Sequence, residues 1–177
     1  MRFSQQWRRC YGALAPLGWR LRAALPDRWT RIHSLPDAKR YPETSAEERE
    51  LLRRHNEVAT AALGERGACW LVACDAYELP EVPGISLAPS LRVGPDEQLA
   101  ERITFHVARV IWRQGAFDPL LLAIAEDRCR ALWMRRATGE VFAPYDGGVD
   151  LILRDRARRD ALRERWPGWR SRREDGL

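Results

Sequence analysis

Residues 32–42, Ile-His-Ser-Leu-Pro-Asp-Ala-Lys-Arg-Tyr-Pro, gather His33, Lys39, Arg40 and Tyr41, and within one helix's reach comes Arg53-Arg54-His55-Asn56. Two of the three histidines and the only lysine fall in these two stretches. Lys39, Arg40 and Arg54 are the residue types that hold a phosphate or carboxylate, with Tyr41, His33 and His55 adding hydrogen bonds. Asp146 and Asp150 flank Gly147-Gly148, a turn that offers two carboxylates to a cation or to an arginine such as Arg40 or Arg54. Two readings compete on equal terms. In one, His33, Lys39, Arg40, Tyr41, Arg54, His55, Asp146 and Asp150 form a ligand-binding site; in the other, Asp37, Asp146 or Asp150 satisfies the cations and locks a long loop to the core.

Several chemistries are disfavoured by spacing. Ser34 beside His33 makes no triad from adjacency, because neighbours in a strand point to opposite faces, and there is no G-x-S-x-G elbow. Two carboxylates are too few for a calcium loop. His33, His55 and His106 sit on separate elements, with no H-x-H or H-E-x-x-H pattern. Cys10, Cys69, Cys74 and Cys129 form no C-x-x-C pair; Cys69 and Cys74 differ by an odd number in one strand, so they face opposite ways and read as reduced core thiols. The expectation is no catalytic residue, no metal and no cofactor.

The elements that must position these residues are legible from periodicity. Phe3, Trp7, Cys10, Leu14, Leu17, Leu21 and Leu25 recur at helical spacing, with Pro16 splitting or bending the helix. Residues 29–33 alternate as a strand. Ser45 and Glu48 read as a capping box opening a helix to Leu63, closed by Gly64. Strands follow at 68–75 and 103–112, and Asp118-Pro119 opens a helix through about Asp127. Residues 130–136 and 141–145 flank Thr138-Gly139 as a hairpin, 149–153 is a further strand, and Asp155 caps a last helix over 156–166. Four prolines and two glycines over 78–98 predict a long loop or lid.

Length and 45% hydrophobic content suit one domain over 1–177, with an N-terminal helical segment (1–27), the 78–98 loop and an arginine-rich C-terminal helix and tail (155–177). The net charge of +5 is unevenly spread: residues 1–31 hold seven arginines against Asp27, and 154–177 hold nine against five acids. Such ends contact nucleic acid or a membrane surface, or lie against a more acidic body. No RNA-binding signature supports nucleic acid, and no run approaches the ~18 apolar residues of a membrane span. The arginines at 8, 9, 20 and 22 disqualify a secretory signal, so a cytoplasmic location is expected.

The pattern Trp29-x-Arg31-Ile32-His33-Ser34-Leu35-Pro36-x-x-Lys39-Arg40-Tyr41-Pro42-Glu43, then Arg53-Arg54-His55-Asn56, then Pro144-Tyr145-Asp146-Gly147-Gly148-Val149-Asp150, Trp169 and the final Gly176-Leu177, resembles a group of bacterial proteins related to the family known as domain of unknown function 3885. The likeness runs from about residue 7 to the end, apart from 78–98. It implies a bacterial, cytoplasmic setting and no particular activity.

These observations predict an α+β domain with a mixed, mostly antiparallel sheet of five or six strands and helices mainly on one face. The leading functional expectation is a non-enzymatic protein that binds another macromolecule, an immunity-type partner of a toxin being the concrete form. The alternative is an enzyme or sensor for a small anionic ligand at Lys39, Arg40 and Arg54. A second alternative is weak nucleic-acid binding through the arginine-rich termini.

Overall fold

The computed structural model describes residues 1–95 and 101–170. The end of the 78–98 segment and the residues after 170, with the Gly176-Leu177 motif, lie outside them. Along the chain come α1 (Phe3–Tyr11), α2 (Gly18–Ala24), β1 (Trp29–His33), α3 (Ser45–Leu63), β2 (Ala68–Cys74), β3 (Ala88–Val93), β4 (Ile103–Ile111), α4 (Asp118–Ala125), β5 (Ala131–Arg135), β6 (Val141–Tyr145), β7 (Gly148–Ile152) and α5 (Arg156–Arg165).

The strands form one sheet in the order β1-β7-β6-β5-β2-β4-β3, and every neighbouring pair is antiparallel. This corrects the expected mixed sheet of five or six strands: among the described residues there are seven. The added strand is β3, inside the segment read as a loop. Pro89 hid it, since proline has no N–H to donate. An edge strand needs donors on one side only, and β3 pairs with β4 alone, with a register shift between Pro89 and Leu91.

The helices do not keep to one face, which corrects the second part of that expectation. Along β2, Cys69, Leu71 and Ala73 face a core shared with α3, α4 and α5, whereas Trp70, Val72 and Cys74 face a core shared with α1 and Leu21 of α2. A strand apolar on both sides needs cover on both. The two cysteines thus lie on opposite faces as their spacing requires, and all four thiols are free.

α1 is fastened to the sheet by polar contacts as well as by Phe3 and Trp7. Gln6 donates to the Arg136 carbonyl at 2.6 Å and accepts from the Trp70 indole at 2.9 Å, and the Tyr11 hydroxyl donates to the Gly139 carbonyl. The chain breaks after Tyr11, where Gly12 takes a φ of 62°, and α2 restarts at Gly18. Gly18 lies so close to the sheet that a Cβ there would sit 3.1 Å from Ala143 Cβ and 3.6 Å from Asp150 Oδ2. The capping box of α3 is Thr44 with Glu47, one residue before the expected Ser45 and Glu48.

Candidate functional site

The β6–β7 turn organises the polar chemistry of the α2 face. Asp146 lies at the end of the β6–β7 hairpin and Asp150 within β7, where it pairs in register with Arg31 of β1 and Ala143 of β6. Asp150 receives the Trp29 indole N–H at 2.8 Å, Arg31 at 3.3 Å and Arg22 of α2 at 3.5 Å. Asp146 receives Arg40 at 3.0 Å, Arg130 at 3.7 Å and the Tyr41 hydroxyl at 3.1 Å. Each carboxylate therefore holds two arginines, and both are buried. Burial raises the Asp150 pKa, opposed by Arg31 and the Trp29 and Arg31 hydrogen bonds.

These four arginines line one cavity of about 430 Å³ between the 16–19 segment, the start of α2 and the sheet. Its floor is apolar, made by Val72, Leu132, Ala143 and Pro144, and Trp19, Tyr77 and Tyr145 supply aromatic walls. The Tyr77 ring lies 5.3 Å beneath the Arg130 guanidinium, and the Tyr145 ring 5.0 Å beneath that of Arg31. Arg130 also meets the half-exposed Asp127 at 2.6 Å through Nη2, while its Nη1 is sealed from solvent without a hydrogen-bond partner. The lining holds no histidine, and burial pushes its one thiol, Cys74, up, so it stands protonated at neutral pH.

The sequence-singled residues divide between the two sides of the sheet. Arg40 and Asp150 line the cavity, and Asp146 and Tyr41 join them through Arg40 and Arg130. Lys39 instead closes the start of α3, at 2.8 Å from Glu43 and 2.7 Å from Glu47. Arg54 is buried, bonded to Glu50 at 2.6 Å and to the His33 carbonyl at 3.3 Å, with its guanidinium 4.9 Å over the Trp169 ring. Arg53 and then Arg54 hold the Glu50 carboxyl at about 2. The His33 pKa is lowered by burial, then by Arg31 and Arg54. Lys39, Arg40 and Arg54 thus have three separate sets of partners and form no common cluster.

His55 lies on the α3 side against Phe142 and pairs with Ser34 at 2.8 Å, both side chains fully buried. Burial lowers its pKa to about 3, so the imidazole is neutral. This serine–histidine contact joins β1's exit to α3; it lies outside the cavity, and Nδ1 has no partner to orient the ring as a catalytic base. Among the described residues no group of three or more His, Cys, Asp or Glu is placed to hold a metal, and no helix is long and apolar enough to cross a membrane.

Arg22, Arg31, Arg130, Trp19, Tyr77 and Tyr145 were missed in the sequence. The available signal was strand parity: Arg31 is out of phase with the buried Ile32, and Asp150 with Val149 and Leu151, so both fall on the other face of the sheet. The sequence profile of the family described as Domain of unknown function (DUF3885) matches residues 17–174. The chain belongs to the DUF3885 family. That match takes in both aspartates and all four arginines of the cavity. No curated protein and no solved structure matched the chain.

Proposed function

We propose that this DUF3885 protein binds a small anionic ligand in the cavity between α2 and the sheet. The observation that carries the reading is the convergence of Arg22, Arg31, Arg40 and Arg130 on one concave space, with Asp146 and Asp150 the buried carboxylates paired to them. Arg22, Arg31 and Arg130 are held largely out of water and Arg40 is exposed; against Asp127, Asp146 and Asp150 the four arginines keep one excess positive charge, which a bound anion would offset. The cavity falls within the roughly 300–1,000 Å³ range of small-molecule sites.

This shifts the site from the expected Lys39/Arg40/Arg54 group to one that keeps Arg40 and adds three arginines. It favours the small-anion reading over a macromolecular partner, because the charge lies inside a concave space rather than across an open face. The lining offers binding groups without a paired nucleophile and base, so recognition is its natural role.

The test is a melting-temperature screen of the intact chain against inorganic phosphate, succinate, citrate and nucleotides. An anion at 100 times its Kd adds about 2.7 kcal/mol of stability, a rise of several degrees. The rise is expected to fall by about half or more in Arg40→Met, which removes an exposed arginine and leaves Asp146 its Arg130 and Tyr41 partners, while the unliganded protein melts within a few degrees of the parent. A rise of full size in this variant contradicts the assignment.

A further inference from the structure

Resting on that reading, we propose that the ligand is a phosphate monoester carrying a planar, largely apolar group, of which a nucleoside monophosphate or an aryl phosphate is the type. The cavity has two chemically different parts. Its polar part is the paired clamps Arg22/Arg31 and Arg40/Arg130, each pair tied to one aspartate. Its apolar part is the floor of Val72, Leu132, Ala143 and Pro144 with the rings of Trp19, Tyr77 and Tyr145.

A small dicarboxylate meets the first part and leaves the second wet. A phosphate ester meets both: its oxygens match guanidinium forks from several directions, and its planar group covers the floor. Trp19 and Tyr77 are each 41% exposed. Large aromatic rings left open at the mouth of a cationic cavity are the groups on which a planar ligand stacks, and each has a guanidinium over its ring, Arg20 at 4.8 Å for Trp19 and Arg130 at 5.3 Å for Tyr77.

The ligand's charge gives an independent handle. A phosphate monoester takes its second charge with a pKa of about 6, whereas a carboxylate is fully ionised well below that. Affinity for the ester is therefore expected to rise between about pH 5 and 7, and affinity for benzoate, a monocarboxylate ionised throughout, to stay nearly flat over the same range.

The experiment is calorimetric titration of the full chain with inorganic phosphate, succinate, phenyl phosphate, adenosine monophosphate and adenosine. Phenyl phosphate or adenosine monophosphate is expected to bind about tenfold or more tightly than inorganic phosphate, the worth of one stacked ring, and adenosine not measurably. Trp19→Ala is expected to remove that increment, Trp19→Phe to keep most of it, and inorganic phosphate to bind all three proteins alike. If inorganic phosphate or succinate binds and the esters gain nothing, this inference falls and the anion site stands. If no anion binds, both fall.

Discussion

Asp150 is the residue on which the cavity's charge turns, because it is buried with two arginines and an indole N–H directed at it. Arg31→Met leaves that carboxylate short of its shortest-range cation, and breaking a buried pair from one side costs roughly 3–5 kcal/mol. Arg22 and Trp29 remain, so a loss near 3 kcal/mol is expected in urea unfolding; a loss below about 1 kcal/mol would show that Arg31 is dispensable to the fold. Arg40 is different. Its side chain is 65% exposed and Asp146 keeps Arg130 and the Tyr41 hydroxyl, so Arg40→Met is expected to cost about 1 kcal/mol or less and to act mainly on ligand affinity.

His55 sets a pH dependence of definite sign. Its folded pKa is about 3, below the ordinary 6.5, so the unfolded chain binds the proton first. The stability from keeping it neutral is complete above about pH 6.5 and is lost as pH falls, by up to about 1.4 kcal/mol per pH unit. His33, lowered by burial, adds in the same direction. Urea midpoints measured from pH 7 to 5 should fall; midpoints that stay level or rise contradict the burial of a neutral His55.

At the scale of elements, the β6–β7 turn and the α1–α2 break build the site. Gly148 stands opposite His33, and a Cβ there would lie 2.5 Å from the Ile32 carbonyl oxygen and 2.9 Å from the Tyr145 hydroxyl. Gly148→Ala must push β1 from β7 or displace Tyr145, which lines the cavity. An overpacking cost of about 1–3 kcal/mol is expected together with weaker ligand binding. Full stability with unchanged affinity would mean that the turn does not hold the cavity's shape.

Most elements were legible in the sequence because their signals are local. The α3 stripe and its Gly64 stop, the β5–β6 hairpin around Thr138-Gly139, and the Asp155 cap each depend on residues within one or two turns. β3 was lost because Pro89 within it and the prolines around it argue for a loop, and no two-residue turn signal links it to β4. The site was half legible for the same reason. Asp146, Asp150 and Arg40 stood out, whereas Arg22, Arg31 and Arg130 come from three other segments and meet only through the order β1-β7-β6-β5 and the placing of α2 on that face. The proximity of Lys39, Arg40 and Arg54 in sequence misled, since the sheet separates Arg40's cavity from the α3 side.

At the scale of the whole molecule, the arginine-rich ends are partly consumed internally. Arg28 donates to the Leu153 carbonyl at 2.6 Å, and Arg158 to the Ala61 carbonyl at 2.6 Å with Glu140 at 3.4 Å. These contacts tie the ends to the body, as the charge distribution allowed. Among the described residues, the α2-side cavity gathers four arginines around one concave space. The most direct test is calorimetric titration of phenyl phosphate into the parent chain and into Arg40→Met, which leaves Asp146 paired with Arg130. One site per chain is predicted in the parent, with a loss of about tenfold or more in affinity in the variant and both proteins folded. Equal affinity in the two, or no binding to the parent, would contradict it.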